Sequence, residues 1–360
     1  MNDSGADARS APRAGDWVQV RSKEEILASV DVDGRLEGMP FMPEMLPFCG
    51  RTFRVAKRAH KTCDPVNGLQ SRRLPRAVHL EGLRCDGSAH GGCQAGCLLF
   101  WKDAWLKPVG DRDKSVTPPA ATAPARAANG CTEAALSSAT LSERGSHESQ
   151  APIYRCQATQ VAAATKPLPW WDFRQYVEDY RSGNASLWQL ASALVFWIYH
   201  NLCNAGVGLG AAMRWAYDVF QRAVGGAPYP WRMGEIPLGE TTPTLKLDIR
   251  EGDTVRVRSY REILGTLNEE WKNRGLYFDG EMVPYTGGTF KVLKRVNRII
   301  HEKTGEMLHF KSECLILDEV VCQARYAKCR KLCPRAYYLY WRDIWVEKVT
   351  PAATQSEVRG

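Results

Sequence analysis

The chain contains no His-Glu-x-x-His, no Gly-x-Ser-x-Gly and no phosphate-binding loop ending in Gly-Lys-Ser/Thr. These absences remove, in turn, the helix-borne zinc protease site, the nucleophile turn of the α/β hydrolases and the phosphate cradle of the P-loop NTPases. It also lacks Cys-x2-Cys and Cys-x3-Cys-x2-Cys, so neither a standard zinc-finger knuckle nor a radical-SAM cluster loop is present. Gly206-Val-Gly208-Leu-Gly-Ala211 falls short of a dinucleotide loop, because no strand leads into it. The first sixteen residues are polar and include no apolar core with a cleavage site, which points to a cytoplasmic chain. In a reducing compartment clustered thiols are more often metal ligands or catalytic groups than disulfides.

What the chain has is twelve cysteines in 360 residues, with hydrophobic content of 44%, charged content of 24% and a net charge of +8. That composition belongs to a globular protein with room for two domains. The positive excess admits an acidic partner without demanding one.

The chain repeats itself. Val18 to Leu27 matches Val255 to Leu264, Phe41 to Phe48 matches Phe278 to Tyr285, and Thr52 to Arg58 matches Thr289 to Arg295, all at an offset of 237. Phe100 to Leu106 matches Tyr340 to Val346 at an offset of 240. Each copy reads as a short alternating strand, a brief helix, a Pro/Gly-bounded loop, a second strand, a cysteine cluster and a closing aromatic segment. The expected architecture is α+β and β-rich: two duplicated small β-barrel-like (SH3-like) modules at 15–110 and 252–350. A disordered linker at 111–150, poor in large apolar residues, and a helical connector at 151–225 join them. Within the connector, Ser182 to Met213 contains no Asp, Glu, Lys or Arg. It reads either as a helix buried against a module or as a membrane-surface segment.

The cysteines carry the chemistry. Cys85, Cys93 and Cys97 run as Cys-x7-Cys-x3-Cys, and Cys322, Cys329 and Cys333 as Cys-x6-Cys-x3-Cys, each just ahead of the closing aromatic segment. Four thiolates, or three with an imidazole, suit tetrahedral zinc or the irons of an iron–sulfur cluster. The fourth ligand is open among Cys63, His79 and His90 in the first copy. In the second it is Cys314, with His301 or His309 behind it. The expectation is one metal site per module, zinc or iron–sulfur. Cys49, Cys131, Cys156 and Cys203 fit neither cluster.

Two further signals have plainer readings beside functional ones. Trp101 and Trp105, like Trp341 and Trp345, are four residues apart and read as core packing or as a stacking surface. Arg51 to Arg76 carries eight Lys or Arg against Asp64 alone, which reads as a solvated strand face or a phosphate-contacting one.

The stretches Val78 to Gly82, Cys85 to Cys97, Cys333-Pro-Arg335, Tyr340 to Trp345 and Arg-Gln-Tyr-Val at 174–177 resemble those of bacterial tandem-repeat cysteine-rich proteins to which no activity is attached. The resemblance covers both modules and implies a bacterial cytosolic setting but no function. The reading is then a metal-binding accessory or scaffold protein that works through a protein partner or a nucleic acid. The alternatives are an iron–sulfur redox protein and an assembly protein held to a membrane surface through 182–213.

Overall fold

The computed structural model describes residues 11–64, 70–109, 131–142, 151–206, 208–327 and 331–349. The chain divides into two compact units. The first comprises Met1–Ile198, Arg298–His309 and Gln323–Tyr337; the second comprises Tyr199–Asn297, Phe310–Cys322 and Tyr338–Gly360. The division does not follow the repeat, since 298–309 and 323–337 of the second copy fall in the first unit.

The first copy supplies β1 (Trp17–Val20), β2 (Thr52–Arg58), β3 (Lys61–Asp64), β4 (Gln70–Arg73), β5 (Ala77–Leu80), β6 (Trp101–Lys102) and β7 (Leu106–Pro108), and the connector adds β8 (Lys166–Pro167). They form an antiparallel sheet in the order β6-β5-β2-β1-β7 and a smaller one in the order β8-β4-β3. In β1 alternation buries Val18 and Val20. Helix α1 (Lys23–Ser29) starts at a capping box, with Ser22 Oγ accepting from Glu25 N at 3.2 Å and the Glu25 carboxylate accepting from Ser22 N at 3.0 Å. The fully buried Trp101 and Trp105 meet Phe41 edge-on, with centroids 6.1 and 5.2 Å away. The aromatic pair is therefore core.

Three helices of the first unit lie beyond the first copy's sheet. α2 (Glu133–Ser138) lies inside the stretch read as a disordered linker, and its Leu136 joins Cys131 in the core. α3 (Gln157–Ala164) is pinned by buried Gln157, whose amide donates to the carbonyls of Pro40 and Phe100 and accepts from Phe100 N. α4 (Arg174–Arg181) is tied to β3 by Asp179, which receives Lys61 Nζ at 2.5 Å with both side chains buried.

The second five-stranded sheet contains β9 (Thr254–Val257), β10 (Thr289–Ile300), β11 (Met307–Val321), β12 (Tyr338–Trp341) and β13 (Val346–Lys348), ordered β12-β11-β10-β9-β13. Phe278 meets Trp341 and Trp345 at 6.1 and 5.2 Å. Neither sheet closes into a barrel among the described residues, which corrects the SH3-like expectation. In each, the two edge strands are successive pieces of chain separated by a 3-10 turn, Asp103–Trp105 or Asp343–Trp345, and no ladder pairs them. The edge strands β6 and β7 are also only two and three residues long.

The charge-free segment contains all of α5 (Leu187–Cys203) and the start of α6 (Gly210–Val224). In α5 only Phe196, His200 and Cys203 are buried, while Trp188 is 79% and Val195 64% exposed. The helix is therefore not enclosed by its own chain. Among the described residues no helix is long and apolar enough to cross a membrane. The 17 residues of α5 span about 25 Å, short of the roughly 30 Å of a bilayer's hydrocarbon core.

Candidate metal centre

Three residues of the first unit bring an oxygen, a sulfur and a nitrogen ligand atom within 4.8 Å of one another: Glu44, Cys85 and His90. Glu44 sits on the 3-10 helix Pro43–Phe48, Cys85 opens the loop that ends at Cys97, and His90 lies within that loop. The loop owes its path to Gly87. Its φ is +75°, and a Cβ there would lie 2.1 Å from the Cys93 carbonyl oxygen, so no other residue fits. The turn is closed by His90 N and Gly92 N donating to Gly87 O, and by Cys85 N donating to Cys97 O at 2.8 Å.

The geometry at Glu44 is tight. Its Oε1 accepts from Ala89 N at 3.0 Å, lies 2.6 Å from His90 Nδ1 and 3.9 Å from Cys85 Sγ. Its Oε2 is buried without a hydrogen-bond partner. On the other side of the imidazole, Nε2 lies 3.0 Å from the Arg155 carbonyl. A carbonyl only accepts, so Nε2 carries a hydrogen, and a neutral ring then turns the lone pair of Nδ1 toward a carboxylate oxygen. Two acceptors at 2.6 Å require a proton or a cation between them. Burial first, and then the charges of Glu44 and Cys97, push the Cys85 thiol far above its ordinary range. A nearby cation would reverse that balance and favour the thiolate.

The other candidate ligands fall elsewhere. Cys93 accepts from Ile300 N at 3.4 Å through its sulfur. The half-buried Cys97 has its thiol pushed up to about 12, by burial foremost and against the nearby Arg335. Cys156, assigned to no cluster from its spacing, caps α3 in the same neighbourhood, and burial raises its thiol to about 11. Cys63 is buried in β3, its carbonyl accepting from Arg335 Nη1 at 3.0 Å; the same guanidinium pairs with Glu302 at 2.6 Å. His79 is buried in β5, with Nδ1 2.8 Å from the Leu99 carbonyl and its ring against Phe100.

Of the second set, Cys314 is buried in β11 with Arg342 Nη1 3.5 Å from its sulfur, and burial raises its thiol to about 11. Cys322 is buried in the second unit and Cys333 in the first. Cys329 lies outside the described residues. His301 faces Thr304 Oγ1 at 3.1 Å and His309 is exposed. Among the described residues no member of the second set belongs to a group of three metal-capable side chains.

Glu44 is the candidate ligand that cysteine spacing misses. Its signal lies in the repeat, where Glu44 matches Glu281 and both are buried. The basic run from Arg51 to Arg76 is largely paired at home: Arg54 with Glu81, Arg58 with Asp103, Lys61 with Asp179, Arg73 with Asp172 and Arg76 with Glu37. No protein-family model matches the chain, and no curated protein is significantly similar to it.

Proposed function

We infer that the first unit binds one divalent transition-metal ion through Glu44, Cys85 and His90, and that the protein is a metal-stapled scaffold built from a duplicated module. The observation that carries this reading is the 2.6 Å approach of His90 Nδ1 to Glu44 Oε1, with His90 Nε2 held by the Arg155 carbonyl. A backbone partner on one ring nitrogen is the usual way a ligating histidine is oriented for a metal on the other. One carboxylate oxygen, one thiolate and one imidazole form a mixed set that suits zinc, with a fourth position left for water or a neighbouring thiol. An iron–sulfur cluster draws chiefly on cysteine, and this set offers a single sulfur. Duplication is supported by the matching sequences and by the shared strand order of the two five-stranded sheets. The ion would tie together the 3-10 helix, the glycine-bounded loop and, through Arg155, the start of α3. With no recognised catalytic motif beside it, the reading is a scaffold that serves a protein partner.

Metal analysis of anaerobically purified full-length protein tests this. Zinc near one equivalent is expected, lost in Cys85→Ser and His90→Gln. Iron with acid-labile sulfide would replace the scaffold by a redox centre. A chain that holds no metal, and whose thermal unfolding ignores both zinc and chelator, would sink both readings.

A further inference from the structure

We propose that a basic cavity in the second unit binds a small phosphate monoester, with Arg342, Arg274, Lys246 and Lys311 supplying the opposite charge. The lining comes from 244–246, 273–274, Arg295, 310–313 and 342–344, all within that unit. Its volume is about 360 Å³, inside the range of about 300–1,000 Å³ typical of small-ligand sites. The two carboxylates in the lining, Glu313 and Asp343, are both engaged by Arg295, at 3.1 and 2.9 Å. Asp343 also accepts from Leu247 N at 2.9 Å, and its buried Oδ1 has no partner. Arg342 is placed differently. It is 9% exposed, and among the described residues no carboxylate pairs with it. Its Nη1 and Nη2 donate to the carbonyls of Ser312, Glu313 and Arg274, Nη1 lies 3.5 Å from Cys314 Sγ, and Nε has no partner. Carbonyls satisfy hydrogens without cancelling a charge, and a buried guanidinium without a counter-ion is costly. Lys246, Arg274 and Lys311 are exposed in the same lining and make no ion pair among the described residues.

The first copy supplies internally what the second lacks. Lys102 stands where the second copy has Arg342, and it too is buried. Glu37 meets Lys102 Nζ at 2.5 Å and also pairs with Arg76. At the repeat offset of 237, Glu37 corresponds to Arg274. The two residues share a left-handed backbone, with φ of +52° and +47°. The second copy has therefore exchanged the carboxylate that neutralises this buried cation for a further cation, and the cavity is lined by both. A bound anion restores the missing charge. The guanidinium fork suits phosphate oxygens, and several cations around one cavity favour a doubly charged phosphate over a singly charged carboxylate.

The test is calorimetric titration of full-length protein with glucose 6-phosphate at low salt. Saturable one-to-one binding is expected, weakening as salt is raised, while glucose itself does not bind. Arg274→Glu places a carboxylate where the first copy has one. It should abolish binding and, without ligand, raise the melting temperature, because Arg342 gains a partner within the chain. Lys311→Ala changes an exposed side chain and should weaken binding about three- to fivefold with the melting temperature unmoved; it serves if Arg274→Glu fails to fold. Absence of saturable binding, equal binding of glucose, or affinity unchanged in Arg274→Glu and Lys311→Ala would overturn the proposal. So would a single-stranded oligonucleotide that binds the wild type and is not displaced by glucose 6-phosphate, which would make this face a contact for a nucleic-acid backbone instead.

Discussion

Acid should destabilise the first unit through His79, and the size of the effect follows from the site. The side chain is fully buried in β5. Its Nδ1 lies 2.8 Å from the Leu99 carbonyl, so Nδ1 carries the hydrogen of the neutral ring, and its buried Nε2 has no hydrogen-bond partner. Protonation would place a charge there with nothing to receive it. Burial is the main cause that pushes the pKa down to about 3, the Leu99 carbonyl works against it, and Arg335, Arg84 and Lys57 push the same way as burial. In the unfolded chain the imidazole titrates near 6.5. Between pH 6.5 and 3 the unfolded state therefore holds more protons than the native one. The stability that His79 confers is fully present above pH 6.5 and drains away as pH falls toward 3.

The slope contributed is about 1.4 kcal/mol per pH unit, or about 2 kcal/mol lost by pH 5. His60, likewise pushed down to about 3 by burial and then by Lys61, adds a parallel loss. Urea unfolding at pH 7.5, 6.5, 5.5 and 5.0 measures it. His79→Leu forfeits the bond to Leu99 and should start less stable at pH 7.5. Its stability should nevertheless fall less steeply below pH 6.5, by about 1.4 kcal/mol per unit. Equal slopes in the variant and the wild type would refute the argument that this histidine is held neutral.

Three other outcomes are expected. Asp103→Ala strands the buried Arg58 guanidinium, paired with it at 2.7 Å, and should cost about 3 kcal/mol in denaturant unfolding. The matching Asp343→Ala should cost less, about 1–2 kcal/mol, because Arg295 keeps Glu313 and the carbonyls of Leu247 and Ile249. Trp105→Ala and Trp345→Ala, each removing a fully buried ring packed 5.2 Å from a phenylalanine, should each lower stability by about 3–5 kcal/mol, read as a drop in melting temperature. Chelator should lower the melting temperature of the zinc-loaded wild type and leave that of Cys85→Ser unmoved, since an ion that binds only the native state stabilises it by mass action.

Much of the frame was legible because the repeat reports it twice. The brief helix expected after the first strand of each copy is present, opened by Ser22 and by Ser259 through capping boxes. The paired tryptophans are core in both copies for one reason: each pair flanks a 3-10 turn that aims both rings at the same phenylalanine. The barrel was not legible, because closure depends on whether edge strands two or three residues long pair across a turn, and no pattern of alternation encodes that. Nor was α2, since an Ala/Ser-rich stretch still orders when one Leu136 finds a core. The candidate site was legible only in part. Cys85 and His90 stood among the candidates, but the carboxylate that joins them comes from forty residues upstream, where cysteine spacing carries no information.

The unequal donor sets of the two copies set how much metal the chain should hold. Equivalent cysteine triplets suggest two sites. The donor set of the first, however, is completed by Glu44 and His90, and only the glutamate is duplicated, as Glu281. From Cys322 to Cys333 the second copy has no histidine; it has Arg325, Lys328, Arg330 and Lys331 instead. Four cations in a twelve-residue span oppose a dication electrostatically, even as they favour thiolates. Among its described residues the second copy thus lacks an oxygen, sulfur and nitrogen set like the one proposed to hold an ion in the first. The expected stoichiometry is one ion per chain. Measured on Cys85→Ser, it should fall to none, whereas Cys322→Ser should retain the full equivalent. Two ions in the wild type, with one surviving in Cys85→Ser, would show that the second copy assembles a centre from its thiols alone.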